Sequence, residues 1–273
     1  MESPTRDRPA AIATGPLDAF PPAAIAKLVE GIGVKKANMP LTPTLALAVL
    51  AGAFIAFGGM LFILVMTGNE LGLGPGRWLG GIAFSLGLVL VVVGGAELFT
   101  GNSLIVMAWA ERRITTAQLM RNWSLVYAGN FVGAFGSALM VHWSGVLSLG
   151  ENAVAATAMS VAEGKVTLGI AEAFWRGVLC NVLVCLAVWL CFAAHSVSSK
   201  IIAIIFPISA FVALGFEYSI ANMYLIPIAM LSGGSGISLA DFLANLLPVT
   251  LGNVVGGGVL VALVYWMIYL REA

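Results

Sequence analysis

Charge is what this chain has least of. Ten per cent of its 273 residues are charged, against sixty per cent hydrophobic, and thirteen basic residues balance thirteen acidic ones. That composition excludes an ordinary soluble domain and leaves neither a basic surplus for nucleic acid nor a charge block for an interaction tail. Cysteine is scarce as well. Cys180, Cys185 and Cys191 fall in one apolar segment at spacings that suit neither a metal site nor a disulfide framework, so they read as buried apolar filler. Histidine occurs twice, as His142 and His195, both at span ends. No cluster has metal-ligand spacing and no nucleophile stands beside a base, so no metal, no cofactor and no catalytic residue is expected. The first forty residues lack the apolar core of a cleavable signal peptide, which leaves insertion to the first span.

What the chain does have is long apolar segments, two of them interrupted. Six spans are expected, at about Pro43–Met66, Trp78–Trp109, Leu119–Val141, Ile170–Phe192, Ile201–Leu231 and Leu246–Leu270, each long enough to cross a bilayer. The second is broken by G-G-A-E-L-F-T-G-N-S, Gly94 to Ser103. Only about eight apolar residues follow that break, roughly 12 Å of helix, so it marks one broken span rather than two. The fifth span carries the same break 120 residues later, Gly215, Glu217 and Asn222 repeating Gly95, Glu97 and Asn102. A second echo follows at offset 123, where Asn245, Gly252, Asn253 and Gly256 match Asn122, Gly129, Asn130 and Gly133.

The chain therefore reads as two homologous halves. Ten Lys and Arg lie on one side of the proposed spans and three (Arg77, Lys165, Arg176) on the other, which places both termini in the cytoplasm. Three spans per half means opposite insertion. The expected fold is thus an all-α membrane protein of six transmembrane helices in two inverted three-helix repeats, with helices two and five broken at a midplane site. Residues 1–21 read as a disordered cytoplasmic tail. Residues 22–36 read as an amphipathic interfacial helix that could equally cover a neighbouring subunit, and 37–273 as the six-span channel domain. Glycine clusters in spans one, three and six signal close helix packing.

Several residues have a structural and a functional reading side by side. Glu97 and Glu217 could accept hydrogen bonds from backbone N–H groups freed by each break, the favoured reading, or could bind a proton or cation. Asn102 and Asn222 share those breaks. Thr100 suits either an N-cap or a hydroxyl ligand where helix N–H dipoles favour an anion. Lys165, placed in a loop before the fourth span, reads as a solvated lysine. Asn130, Asn181 and Asn253 read as interhelical hydrogen-bonding amides.

The stretches G-G-A-E-L-F-T-G-N, R-N-W-x-x-V-Y-x-G-N-x-V-G-A, G-F-E-Y-S-I-A-N-M-Y and L-G-N-V-V-G-G resemble the formate/nitrite transporter family, with compatible spacing from about Pro22 to Leu270. The resemblance is closer to the formate branch. It implies an aquaporin-like subunit of a homopentamer in the bacterial inner membrane, with a pore in each subunit for formate or another small monovalent anion. By position, Phe84, Leu88 and Phe211 would be apolar constrictions on either side of a central chamber. Leu98, Phe99 and Thr100 would form a gating loop on the cytoplasmic side, Lys165 and Asn181 would draw anions into the outer vestibule, and Asn253 would hydrogen-bond within the pore. One position departs: where the family usually has histidine, this chain has Tyr218. A tyrosine near pKa 10 donates a hydrogen bond but does not readily protonate an anion, as a histidine near 6.5 can. A nitrite-preferring channel and a proton-coupled transporter of small monocarboxylates remain as alternatives. A neutral-solute channel would show paired Asn-Pro-Ala motifs, which are absent.

Overall fold

A computed structural model describes residues 19–233 and 236–271. Most of the tail expected over 1–21 lies outside that range. Every regular element among the described residues is helical: α1 (Pro22–Ala37), α2 (Leu41–Met66), α3 (Leu73–Gly94), a 3₁₀ turn (Gly101–Ile105) running into α4 (Val106–Ala110), and α5 (Thr116–Trp143). After a 3₁₀ turn (Val146–Ser148) come α6 (Ala153–Val166), α7 (Ile170–Ala193), α8 (Val197–Leu214) and α9 (Ser219–Leu231). The last span is α10 (Leu239–Val254), a π-helical stretch (Val255–Leu263) and α11 (Val264–Tyr269). Among the described residues, six helices are long and apolar enough to cross a membrane.

Five of the six spans start earlier than hydropathy places them, and at two of these starts a capping box satisfies orphan N–H groups with polar side chains that hydropathy does not count. Thr115 and Gln118 close a capping box that opens α5 at Thr116, and Ser238 and Asp241 do the same for α10 at Leu239. A further element, α6, occupies a stretch that hydropathy leaves as loop. Alanine at five of its fourteen positions gives it strong helix propensity, and Val154, Ala158 and Ala162 bury one face.

The chain is built as two copies of one four-part unit. Helix α1, the straight span α2, the broken span α3–α4 and the span α5 make the first; α6, α7, the broken span α8–α9 and α10 make the second. With three crossings in each unit the copies are inverted. Helix α1 packs against α11, so the two described ends share one membrane face, here the terminal face. Rather than lying free, α1 buries Ile25, Ala26, Val29 and Gly33 against the 3₁₀ turn, α4 and α7 of its own chain.

Close packing relies on glycine where backbones touch. An added Cβ at Gly133 would stand 1.9 Å from the Val49 carbonyl oxygen, and at its counterpart Gly256 2.1 Å from that of Val178. No side chain fits there. On the outside, large apolar residues such as Leu73, Trp143, Ile170 and Leu247 are exposed, a surface suited to lipid or to neighbouring subunits.

Candidate functional site: two breaks and the cavities they separate

Both broken spans stop for the same local reason. Gly95 (φ 82°) and Gly215 (φ 73°) take the left-handed conformation that ends a helix at no steric cost. Each end is closed by the next residue, Ala96 N–H donating to the Val91 carbonyl and Phe216 N–H to that of Phe211. The extended residues beyond are then pinned to the straight span alongside: Glu97 N–H donates to the Leu47 carbonyl and Glu217 N–H to that of Arg176, each at 3.2 Å.

An asparagine holds each break from the other side. Asn130 Nδ2 donates to the carbonyls of Ala48 (2.7 Å) and Glu97 (2.9 Å), while its Oδ1 accepts from Phe99 N–H (2.9 Å). Asn253 Nδ2 donates to the carbonyls of Gly177 (2.8 Å) and Glu217 (3.0 Å), and its Oδ1 accepts from Ser219 N–H (2.9 Å). A carbonyl and an N–H stranded by each break are thereby satisfied by one fully buried side chain, which is what irregular backbone at membrane depth requires. Asn253, expected to hydrogen-bond within the pore, directs its amide to the backbone of the second break.

The carboxylates also differ from expectation. Glu97 and Glu217 accept from side chains, while one freed backbone N–H at each break, that of Phe99 or Ser219, goes to the asparagine. Lys36 Nζ pairs with Glu97 Oε1 at 2.9 Å, and Lys165 Nζ with Glu217 Oε1 at 2.9 Å. Asn102 Nδ2 donates to Glu97 Oε2 and to Asn122 Oδ1; Asn222 Nδ2 donates to Glu217 Oε2 and to Asn245 Oδ1. Asn122 and Asn245 in turn donate to the backbone carbonyls of Lys36 and Lys165. Each set joins an entry helix, a break and the following span. Lys165 is therefore neither in a loop nor solvated; it ends α6 with a side chain 14% exposed.

Lys36 is the residue sequence reading passed over. Its signal was present, since 36 and 165 differ by 129, as do 47 and 176, and 48 and 177. That offset differs from the 120 of the breaks because the first unit is longer by nine residues between the straight span and the break.

A cavity lies on either side of the two breaks. The terminal one, about 260 Å³, is lined by Lys36, Leu88, Glu97, Leu98 and Lys200 among others. The opposite one, here the far cavity, is about 410 Å³ and is lined by Arg77, Lys165, Arg176, Phe84, Phe211 and Tyr218 among others. Leu88 and Leu98 thus bound the terminal cavity. Phe84, Phe211 and Tyr218 bound the far one and form a mutual edge-to-face cluster, with centroids 5.7 Å (Phe84 to Phe211), 6.3 Å (Phe84 to Tyr218) and 5.7 Å (Phe211 to Tyr218) apart. Phe99 faces neither cavity; its ring packs on Trp123 and Tyr127 of α5.

A hydrogen bond joins the two breaks, Thr100 Oγ1 to Tyr218 Oη at 2.8 Å, both residues buried. The Thr100 hydroxyl does not cap the helix it precedes. Its peptide carbonyl is held by Asn181 Nδ2 (3.3 Å) and Cys185 Sγ (3.4 Å). Asn181 is fully buried there, behind Thr100, donating also to Ser103 Oγ and the Asn253 carbonyl. The three cysteines are buried and unpaired.

Two cation-bearing cavities, separated by apolar side chains and one hydroxyl pair inside an inverted repeat with two broken spans, define a pore-forming membrane subunit. The sequence matches the Formate/nitrite transporter family over residues 23–267, and the chain belongs to that family. It is a multi-pass membrane protein and not an enzyme. It is 41% identical to the formate channel FocA of Escherichia coli K12, over 95% of this chain and 98% of FocA, and 42% identical to a probable formate transporter of Methanothermobacter thermautotrophicus, over 92% and 97%. Among solved structures it resembles a pentameric formate channel with formate bound (TM-score 0.77, 35% identity, covering 85% of this chain and 98% of that one). It also resembles an FNT family ion channel (TM-score 0.83, 30% identity, 90% and 98%).

Proposed function

We propose that this chain conducts formate and related small monovalent anions across the bacterial inner membrane, as one subunit of a homopentamer with a pore in each subunit and both termini in the cytoplasm. The observation that carries this reading is the Thr100–Tyr218 hydroxyl pair, 2.8 Å apart at the junction of the two breaks and between cavities that are both lined by cationic side chains. An anion entering an apolar constriction loses hydration worth many kcal/mol, which must be replaced by donors. Two hydroxyls facing each other supply such donors once their mutual bond opens. Relatives named as formate channels over nearly the full chain support formate above nitrite.

Tyr218 gives the passage a particular character. It offers the anion a hydrogen bond without changing charge near neutral pH, so flux should follow the anion concentration with little gating by protonation of the pore. The experiment is formate uptake into proteoliposomes between pH 5 and 8, with nitrite and lactate as competitors, for this chain and Tyr218→His. Formate flux that becomes strongly pH-dependent only in the variant supports the reading. Identical pH profiles would refute the role given to Tyr218, and absence of formate flux in both proteins would refute the function.

A further inference from the structure

Because the two breaks share one frame, what differs between them stands out. At the first, the left-handed Gly95 has open space where a side chain would project. At the second, Gly215 lies beneath two guanidinium groups: a Cβ there would stand 2.7 Å from Arg77 Nη2 and 3.5 Å from Arg176 Nη1. Neither arginine is duplicated. The offsets of 120 and 129 place Val197 opposite Arg77 and Leu47 opposite Arg176. The pair therefore belongs to the far cavity alone and is no part of the repeated scaffold.

The charges around that pair do not balance. Lys165 is matched by Glu217 at 2.9 Å, and Arg176 bonds Glu172 and the Gly215 carbonyl. Arg77 has no ion pair or hydrogen bond among the described residues, although it is only partly exposed and lines the cavity with Glu217 and Tyr218. Two guanidinium groups converging on one point at the rim of a largely apolar cavity repel each other, and the cost grows as water is excluded. An anion between them removes it.

We infer that Arg77 and Arg176 form an anion-binding site above the second break, shaped for a small carboxylate. Guanidinium forks match the two oxygens of a planar carboxylate, whereas an ammonium offers only a point charge. The site holds the anion beside Gly215 before it reaches Tyr218, and Lys165, already neutralised, adds little. The inference rests on the anion-pore reading for its place on the conduction path, though not for the binding itself.

Two measurements test it. In proteoliposomes of phosphatidylcholine alone, sorted by orientation, Arg77→Gln is expected to raise the half-saturating formate concentration about tenfold when formate is presented to the far face. Saturating flux should stay within about twofold and uptake from the terminal face should not shift, while Arg77→Lys, which keeps the charge and loses the fork, should fall between the two. Independently, formate should slow phenylglyoxal modification of Arg77 in the unaltered protein, mapped by peptide mass. An unchanged half-saturation with no protection overturns the inference. So does an Arg77→Gln effect seen only in phosphatidylglycerol membranes, which would assign the arginines to a lipid headgroup. If the unaltered protein passes no formate from either face the pore reading fails, and the protection experiment still decides whether the arginines hold an anion.

Discussion

Lys36→Met is the perturbation that most directly probes the frame. It removes the partner of Glu97, whose side chain is 5% exposed, and leaves Asn102 Nδ2 as the remaining group contacting that carboxylate. Breaking a buried pair on one side costs about 3–5 kcal/mol; Lys36 is itself 25% exposed, so solvent relieves part of this and about 2–4 kcal/mol is expected. At roughly 2–4 °C per kcal/mol for a chain of this size, the midpoint of thermal unfolding in detergent should fall by about 4–16 °C. Adding Glu97→Gln removes the stranded charge and keeps an acceptor for Asn102, so the double variant should recover most of the loss. The second unit supplies an internal replicate. Lys165 is 14% exposed, so Lys165→Met should cost at least as much, and Glu217→Gln should rescue it. Single variants that unfold within a degree of the parent, or double variants no better than the singles, would refute the assignment of these pairs as the ties between entry helix and break.

Tyr218→Phe keeps the ring in its cluster with Phe84 and Phe211 but strands the Thr100 hydroxyl, and should cost about 1–3 kcal/mol in stability and lower formate flux several-fold in the uptake assay. Gly133→Ala places a carbon 1.9 Å from a backbone oxygen and should abolish recovery of folded protein on size exclusion. Gly136→Ala meets nothing within 4 Å and should be neutral or stabilising by about 0.5–1 kcal/mol. Cys180 and Cys185, fully buried, should resist maleimide until the protein is denatured.

Much of the frame was legible in the sequence because it is written twice. The break motif gave the position of both helix ends, and the Asn130 and Asn253 echo gave the side chains that bracket them. The partners of the carboxylates were hidden for a physical reason. A lysine on a short helix outside the membrane core looks solvated in one dimension, and only the fold brings Lys36 across sixty-one positions to Glu97. Helix α6 was hidden similarly, since fourteen residues are too few to cross a bilayer and a search for spans passes over them. Position in a motif says which neighbours a family keeps close and not which way an amide points, so the bonds of Asn181 to the Thr100 and Asn253 carbonyls were not legible in the sequence.

The duplicated frame and the undivided path through it are separable. Across the repeat Tyr218 corresponds to Leu98, Ser219 to Phe99 and Ile220 to Thr100. The hydroxyl contact therefore joins positions that are not equivalents: the first residue after one glutamate and the third after the other. Strict duplication would have kept the same side chain at both members of each pair, so a contact between a tyrosine and a threonine at unmatched positions required the loops to diverge. The glutamates, asparagines and lysines of the frame stayed matched meanwhile. Thr100→Val tests the path, since it deletes the hydroxyl but keeps the peptide carbonyl that Asn181 and Cys185 hold. It should lower formate flux several-fold at a stability cost of about 1–3 kcal/mol. Asn130→Ala lines neither cavity yet strands the Glu97 carbonyl and Phe99 N–H together, so it should cost more than Thr100→Val and reduce the yield of folded protein. The protein that does fold should carry formate at near the parental rate per molecule. Equal loss of per-molecule flux in the two variants would show that frame and path are not separable after all.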